Sequence, residues 1–163
     1  MGKLLRFNLS EDSETTLGAE IENINNYFKI LKYRFGEGFS YRIMVSDELM
    51  KCSVIKFMLQ PFVENSMNHG FEKQDGQFEI AIVVVRINDE LAIVIRDNGC
   101  GINNERLSEI KDILNGGEAR GGIGIGISNV NKRIKLIYGE NFGVDVFSKP
   151  GNTQVIIHIP YKE

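Results

Sequence analysis

Two adjacent runs, FEIAIVVVRI from Phe78 and ELAIVIRD from Glu90, are rich in β-branched residues and are separated only by Asn88-Asp89. Valine and isoleucine suit a pleated surface, and an Asn-Asp pair tolerates the dihedrals of a tight reversal, so the two runs are expected to pair as a hairpin. A sheet is therefore the layer on which the rest of the chain must pack. The most apolar stretch, AIVVV at 81–85, is broken by Arg86 long before it could span a bilayer.

The flanking segments supply the packing elements. From Thr15 to about Tyr33, Leu17, Ile21, Ile24, Phe28 and Leu31 recur every three or four residues, the spacing of an amphipathic helix. Gly36 and Gly38 end it, and FSYRIMVS from Phe39 sets Tyr41, Ile43 and Val45 against polar neighbours as a half-buried strand does. A second helical stripe, Ile55, Met58, Leu59, Phe62 and Val63, runs toward Gly70, with Pro61 either kinking that helix or standing in its first turn. Residues 105–114 read as a short helix and 127–138 as another, and FGVDVFS and TQVIIHIP close a second hairpin around KPGN. Mostly antiparallel strands with helices gathered on one face make an α+β fold, a two-layer sandwich.

At 163 residues, 42% hydrophobic and 25% charged, the chain is long enough for one sizeable core. Lysine and arginine total 19 against 22 acidic residues, with no basic block to track a phosphate backbone, so nucleic acid is not an expected partner. Cys52 and Cys100 lack the spacing of a zinc or redox pair and read as reduced thiols of a cytoplasmic protein, Cys100 as a buried, inert one in preference to one that flanks a ligand pocket.

Three polar clusters interrupt or end apolar elements: EN at 64–65, DNGCGI at 97–102 and GGIGIGISN at 121–129. No GxxxxGK(S/T) and no GxGxxG after a strand is present, which excludes a P-loop or Rossmann site at motif level. Taken singly, DNG after a strand is an ordinary turn and a glycine run a flexible loop. Six of the chain's 17 glycines fall between Gly116 and Gly126, however, and feed straight into a helix. Converging backbone N–H groups and the positive end of a helix dipole suit a phosphate. Asn65 offers a neutral oxygen of the kind that completes a magnesium shell beside phosphate and water.

In order and identity these clusters resemble the N, G1 and G2 boxes of the GHKL ATPase superfamily, which includes gyrase, Hsp90, MutL and histidine kinases. QPFVENSMNHG, DNGCGI and GIGISNVNKRIKLIYG resemble the sensor kinases of the LytS/YesM type, and KLLRFNLS with LGAEIENINNYFKILKYRFG looks like the segment linking their phosphoacceptor helices to the ATPase domain. The resemblance implies the Bergerat fold, a linker over residues 1–35 and an ATPase domain over 36–163. It also implies ATP and Mg²⁺ as ligands and transfer of the γ-phosphoryl group to a histidine.

Residue by residue, Asn65 matches the magnesium-binding asparagine and Glu64 the acidic residue beside it, the pair expected to carry catalysis. Asp97 matches the aspartate that accepts the adenine amino hydrogen. Gly99, Gly101 and Ile102 complete the second box, and Gly122, Gly124, Gly126 and Asn129 the third, with residues 103–120 between them as an ATP lid. His69 matches an aromatic or histidine position of the nucleotide site. Asn68 stands where relatives usually carry a phosphate-reaching lysine, with Arg120 as a candidate substitute. Pro61 occupies the position at which hydrolases such as gyrase place a water-activating glutamate, which favours transfer over hydrolysis.

His69 and His158 are the chain's histidines. His158 lies opposite the Val155, Ile157 and Ile159 face of a strand, so the phosphoacceptor is expected on segments upstream of Met1. The implied parent is a membrane-anchored dimer with a sensor, passing its phosphoryl group to a response regulator. Two neighbouring readings are a serine kinase of the anti-sigma-factor kind, against which residues 3–35 argue, and a module that kept the fold and lost ATP, which Asn68 supports.

Overall fold

The computed structural model describes residues 13–70, 76–117 and 125–163. Five strands form one sheet, in the order β2-β4-β5-β7-β6: β2 (Phe39–Met44), β4 (Phe78–Ile87), β5 (Glu90–Asp97), β6 (Gly143–Lys149) and β7 (Asn152–Pro160). Every pairing is antiparallel except β2 with β4. Both expected hairpins form: Ile87 pairs with Glu90 across Asn88-Asp89, and Lys149 with Asn152 across Pro150-Gly151. Asn88 at φ 56° and Gly151 at φ 79° take the left-handed conformations these reversals need.

Alternation along the strands decides which face is covered. Ile80, Ile82 and Val84 of β4, Leu91, Ile93 and Ile95 of β5, and Val155, Ile157 and Ile159 of β7 share the buried face. Over it lie α1 (Leu17–Phe35), α2 (Gln60–Gly70), α3 (Asn104–Leu114) and α4 (Ile125–Tyr138). On the opposite face Arg42, Met44, Val85 and Phe147 are exposed. This is the expected two-layer α+β sandwich.

Helix α1 begins two residues later than its periodicity suggests, because the Thr16 hydroxyl accepts from the Ala19 N–H at 3.2 Å and caps it. The supposed helical stripe from Ile55 is not one helix. Ser53–Ile55 forms β3, antiparallel to β1 (Glu14–Thr16), and α2 starts only at Gln60, with Pro61 in its first turn. Proline has no N–H to give up there and its fixed φ suits a helix start. Ile55, Met58 and Leu59 are fully buried all the same, so a burial pattern was right and its secondary structure wrong. Neither short strand was anticipated. Among the described residues, no helix is long and apolar enough to cross a membrane.

Candidate nucleotide site

A cavity of about 240 Å³ opens between α2, α3 and α4 at the end of the sheet where β5 finishes. That suits a heterocyclic base, being smaller than the roughly 300–1,000 Å³ of sites that swallow whole drug-sized ligands. Asp97, the last residue of β5, points into it while only 4% exposed. Its Oδ1 accepts from the Gly99 N–H at 2.9 Å and its Oδ2 from the Ser66 hydroxyl on α2 at 2.7 Å. Each carboxylate oxygen keeps a lone pair for a further donor from the cavity. Burial raises the Asp97 pKa above its ordinary value, and the two hydrogen bonds oppose that rise.

The DNG turn is more than a reversal. Asn98 turns away from the cavity, accepts from the Glu79 N–H at 2.8 Å and donates to Gln77 O at 3.0 Å, tying the end of β5 to the start of β4. Gly99 is buried against α2: a Cβ built on it would lie 2.6 Å from the Gly70 Cα, so only glycine lets the two backbones approach. Gly101 has φ +81° and would drive a Cβ to 2.7 Å from the Lys149 carbonyl. The Gly151 N–H donates to Gly99 O at 2.9 Å and the Ile102 N–H to the Ser148 hydroxyl at 2.9 Å, anchoring this loop on the β6–β7 turn.

Asn65, His69, Asp97, Gly101 and Ile102 therefore meet around one cavity. Glu64, Asn68, Gly126 and Asn129 do not line it. Glu64 is half-buried and accepts from Gln60 Nε2 at 2.7 Å along α2, Asn68 and Asn129 are exposed, and Gly126 packs toward Pro61, a built Cβ lying 3.4 Å from the proline's own. Arg120, Gly122 and Gly124 lie outside the described residues. Asn65 offers the wall an uncharged amide oxygen, the hard donor that magnesium accepts when phosphate oxygens and water fill the rest of its shell.

Several residues that line the site had no signal in the sequence. Ser66, on α2, and Arg106, in the first turn of α3 with Glu109 at 3.7 Å, belong to no motif that the sequence analysis singled out. Arg106 is the one lysine or arginine among the described residues that lines the cavity. Cys100, expected to be buried, is an exposed thiol on the cavity wall whose sulfur reaches His69 O at 3.2 Å, because Gly99 occupies the packed position and turns its neighbour outward. The segment read as a lid is, over Asn104–Leu114, a helix capped by the Asn103 side chain at 2.8 Å and seated through Ile110, Ile113 and Leu114.

A model of the histidine kinase-, DNA gyrase B- and HSP90-like ATPase family matches residues 53–163. The chain belongs to that family. A second model, described as histidine kinase, matches residues 1–39. Sensor histidine kinase YesM of Bacillus subtilis is 29% identical over 162 residues, 98% of this chain and 26% of the relative. YpdA of Escherichia coli is 29% identical over 98% of this chain and 27% of its own length. The chain thus spans about a quarter of the curated relatives it matches. Among solved structures, the catalytic domain of histidine kinase ThkA aligns with a TM-score of 0.66 over 91% of this chain and 94% of that one, at 15% identity. The histidine kinase domain of a blue-light activated kinase from Erythrobacter litoralis gives 0.62 over 89% and 61%, at 18%. Such low identities speak for the shared fold.

Proposed function

We propose that this ATPase domain binds Mg-ATP and is the catalytic part of a sensor histidine kinase, delivering the γ-phosphoryl group to a histidine on a separate phosphoacceptor domain. The observation that carries the ATP reading is the buried Asp97 carboxylate at the cavity floor, held by Ser66 and Gly99 with acceptor capacity to spare. Adenine offers an amino donor where guanine offers a carbonyl, so guanine leaves that carboxylate unpaired, a loss of about 1–3 kcal/mol.

Asn65 is the residue that would hold Mg²⁺ against the phosphates, and the metal would neutralise charge on the transferring group. The sequence motifs assign Glu64 to the acidic position beside it and Gly122, Gly124 and Gly126 to the phosphates, and Arg106, which lines the cavity, offers a cation where Asn68 replaces the usual lysine. Pro61 in the first turn of α2 offers no carboxylate to activate water, which favours transfer. His158 is on the sheet face away from the cavity, beside Asp145 at 3.5 Å, and His69 is in the nucleotide wall, so neither is suited to accept. Residues 1–35 are the linker to the acceptor helices, and the parent is a membrane-anchored dimer acting on a response regulator.

Thermal unfolding with Mg-ATP, Mg-ADP and Mg-GTP tests this. A ligand at 100 times its Kd adds about 2.7 kcal/mol, roughly 5–11 °C for a domain of this size. Stabilisation by adenine nucleotides and its loss in Asp97→Ala are expected; no shift with any nucleotide overturns the proposal. Incubated alone with ATP, the chain is expected to gain no acid-labile, base-stable phosphoryl label.

A further inference from the structure

Two described carboxylates are buried: Asp97, and Glu20 at 3% exposure. Glu20 does not line the nucleotide cavity. It stands on the apolar stripe of α1 among Leu17, Ile21 and Ile24, where a charge is costly unless fully partnered. Its partners are three consecutive backbone N–H groups, Phe57 to Oε1 at 2.7 Å and Met58 and Leu59 to Oε2 at 3.1 and 3.4 Å. These residues lead directly into α2, so the carboxylate also faces the positive end of that helix.

Phe57 has φ +57°, a left-handed conformation that bulky residues avoid, and its ring is 60% exposed. Side-chain packing does not account for that backbone; the bond to Glu20 does. About two helical turns farther along α1, burial first, and then the Glu64 charge, raise the Tyr27 phenol pKa. Helix α1 thus reaches the segment that leads into α2 through the Glu20 carboxylate.

We propose that Glu20 is a positioning residue for the nucleotide site, holding residues 57–59 in the strained turn from which α2 starts and so setting where Asn65 stands in the cavity. This rests on the proposal above that Asn65 is the magnesium-side residue. Glu20 joins the segment matched by the histidine kinase model, 1–39, to the segment matched by the ATPase model, 53–163. A displacement of α1 is transmitted through it to Asn65, so movement in the preceding part of a kinase reaches the magnesium side of the site.

The test compares Kd for ATP with Mg²⁺ and with EDTA, and for adenosine with EDTA, in the 163-residue chain and its variants. Glu20→Gln and Glu20→Ala are expected to shrink the magnesium-dependent increment about five-fold or more while adenosine affinity stays within about two-fold. Phe57→Gly on the Glu20→Ala background is expected to recover part of it, since glycine enters the turn without strain. An unchanged increment in both Glu20 variants overturns the proposal. So does an equal loss for adenosine, the mark of a merely structural role, and so does a failure of Phe57→Gly to recover any of the increment. Where Glu20→Ala does not fold, the near-isosteric Glu20→Gln carries the comparison. A wild-type chain with no increment, or Asn65→Ala that keeps it, instead overturns the role given to Asn65.

Discussion

The Ser66 hydroxyl donates to Asp97 Oδ2 at 2.7 Å, joining the helix that bears Asn65 to the strand end that floors the cavity. Ser66→Ala removes that donor and leaves a buried carboxylate with one bond fewer. A net loss of about 0.5–1.5 kcal/mol is expected, or roughly 2- to 12-fold in adenine-nucleotide Kd. Titration calorimetry decides it; an unchanged Kd means that the hydroxyl plays no part in orienting Asp97.

Asp97 also sets a pH dependence. Because burial raises its folded pKa above the unfolded value, its contribution to stability is fully present below the unfolded carboxylate value and is lost as pH rises through the folded one. Near neutrality the ionised group is therefore a cost to the nucleotide-free fold. Asp97→Asn, which can still accept from Gly99, is expected to raise the Tm of the free protein at pH 7 and to lose its advantage below pH 4, while adenine-nucleotide binding collapses. Thermal unfolding across that pH range checks the sign, and a lower Tm at pH 7 would contradict it.

Gly99→Ala would place a methyl 2.6 Å from the Gly70 Cα, backbone against backbone, with no flexible side chain to yield. Overpacking of about 1–3 kcal/mol is expected, a fall of roughly 2–12 °C in Tm, together with weaker nucleotide binding. Gly38→Ala, where a Cβ meets nothing within 4 Å, is the control and should move Tm by no more than about 2 °C.

The Arg106 side chain is 32% exposed and has a loose partner in Glu109 at 3.7 Å, so it is free to turn to phosphate oxygens. Arg106→Ala is expected to weaken ATP about five-fold and adenosine not at all, a solvent-screened value for a partly exposed charge. Equal effects on both ligands would assign the side chain to the base rather than to phosphate.

Helix α1, both hairpins and the α+β sandwich are legible in local patterns, because a period of two or of 3.6 states which face of an element is buried. The same patterns misled at Ile55–Leu59, where three fully buried residues spaced as on a helix belong to a strand and a turn. Burial was encoded there, and backbone conformation was decided by Pro61 and by the Glu20 clasp from a distant helix. Cys100 is the reverse case: an apolar thiol in a tight motif suggested burial, and the close contact of Gly99 with Gly70 turned it outward.

By itself the sequence determined most of the elements and part of the site: where the five strands of the main sheet run, that Asp97 ends a strand, and that Asn65 stands on a helix whose other face is apolar. Tertiary structure alone decided the pairings across sequence distance. These are the parallel partnership of β2 with β4, the hydroxyl that Asp97 acquires from Ser66, the approach of Gly70 to Gly99 and the backbone that Glu20 holds. The physical reason is common to all four. Periodicity and turn chemistry act between near neighbours in the chain, whereas a buried polar group is explained only by its partner, and that partner is chosen when the layers pack.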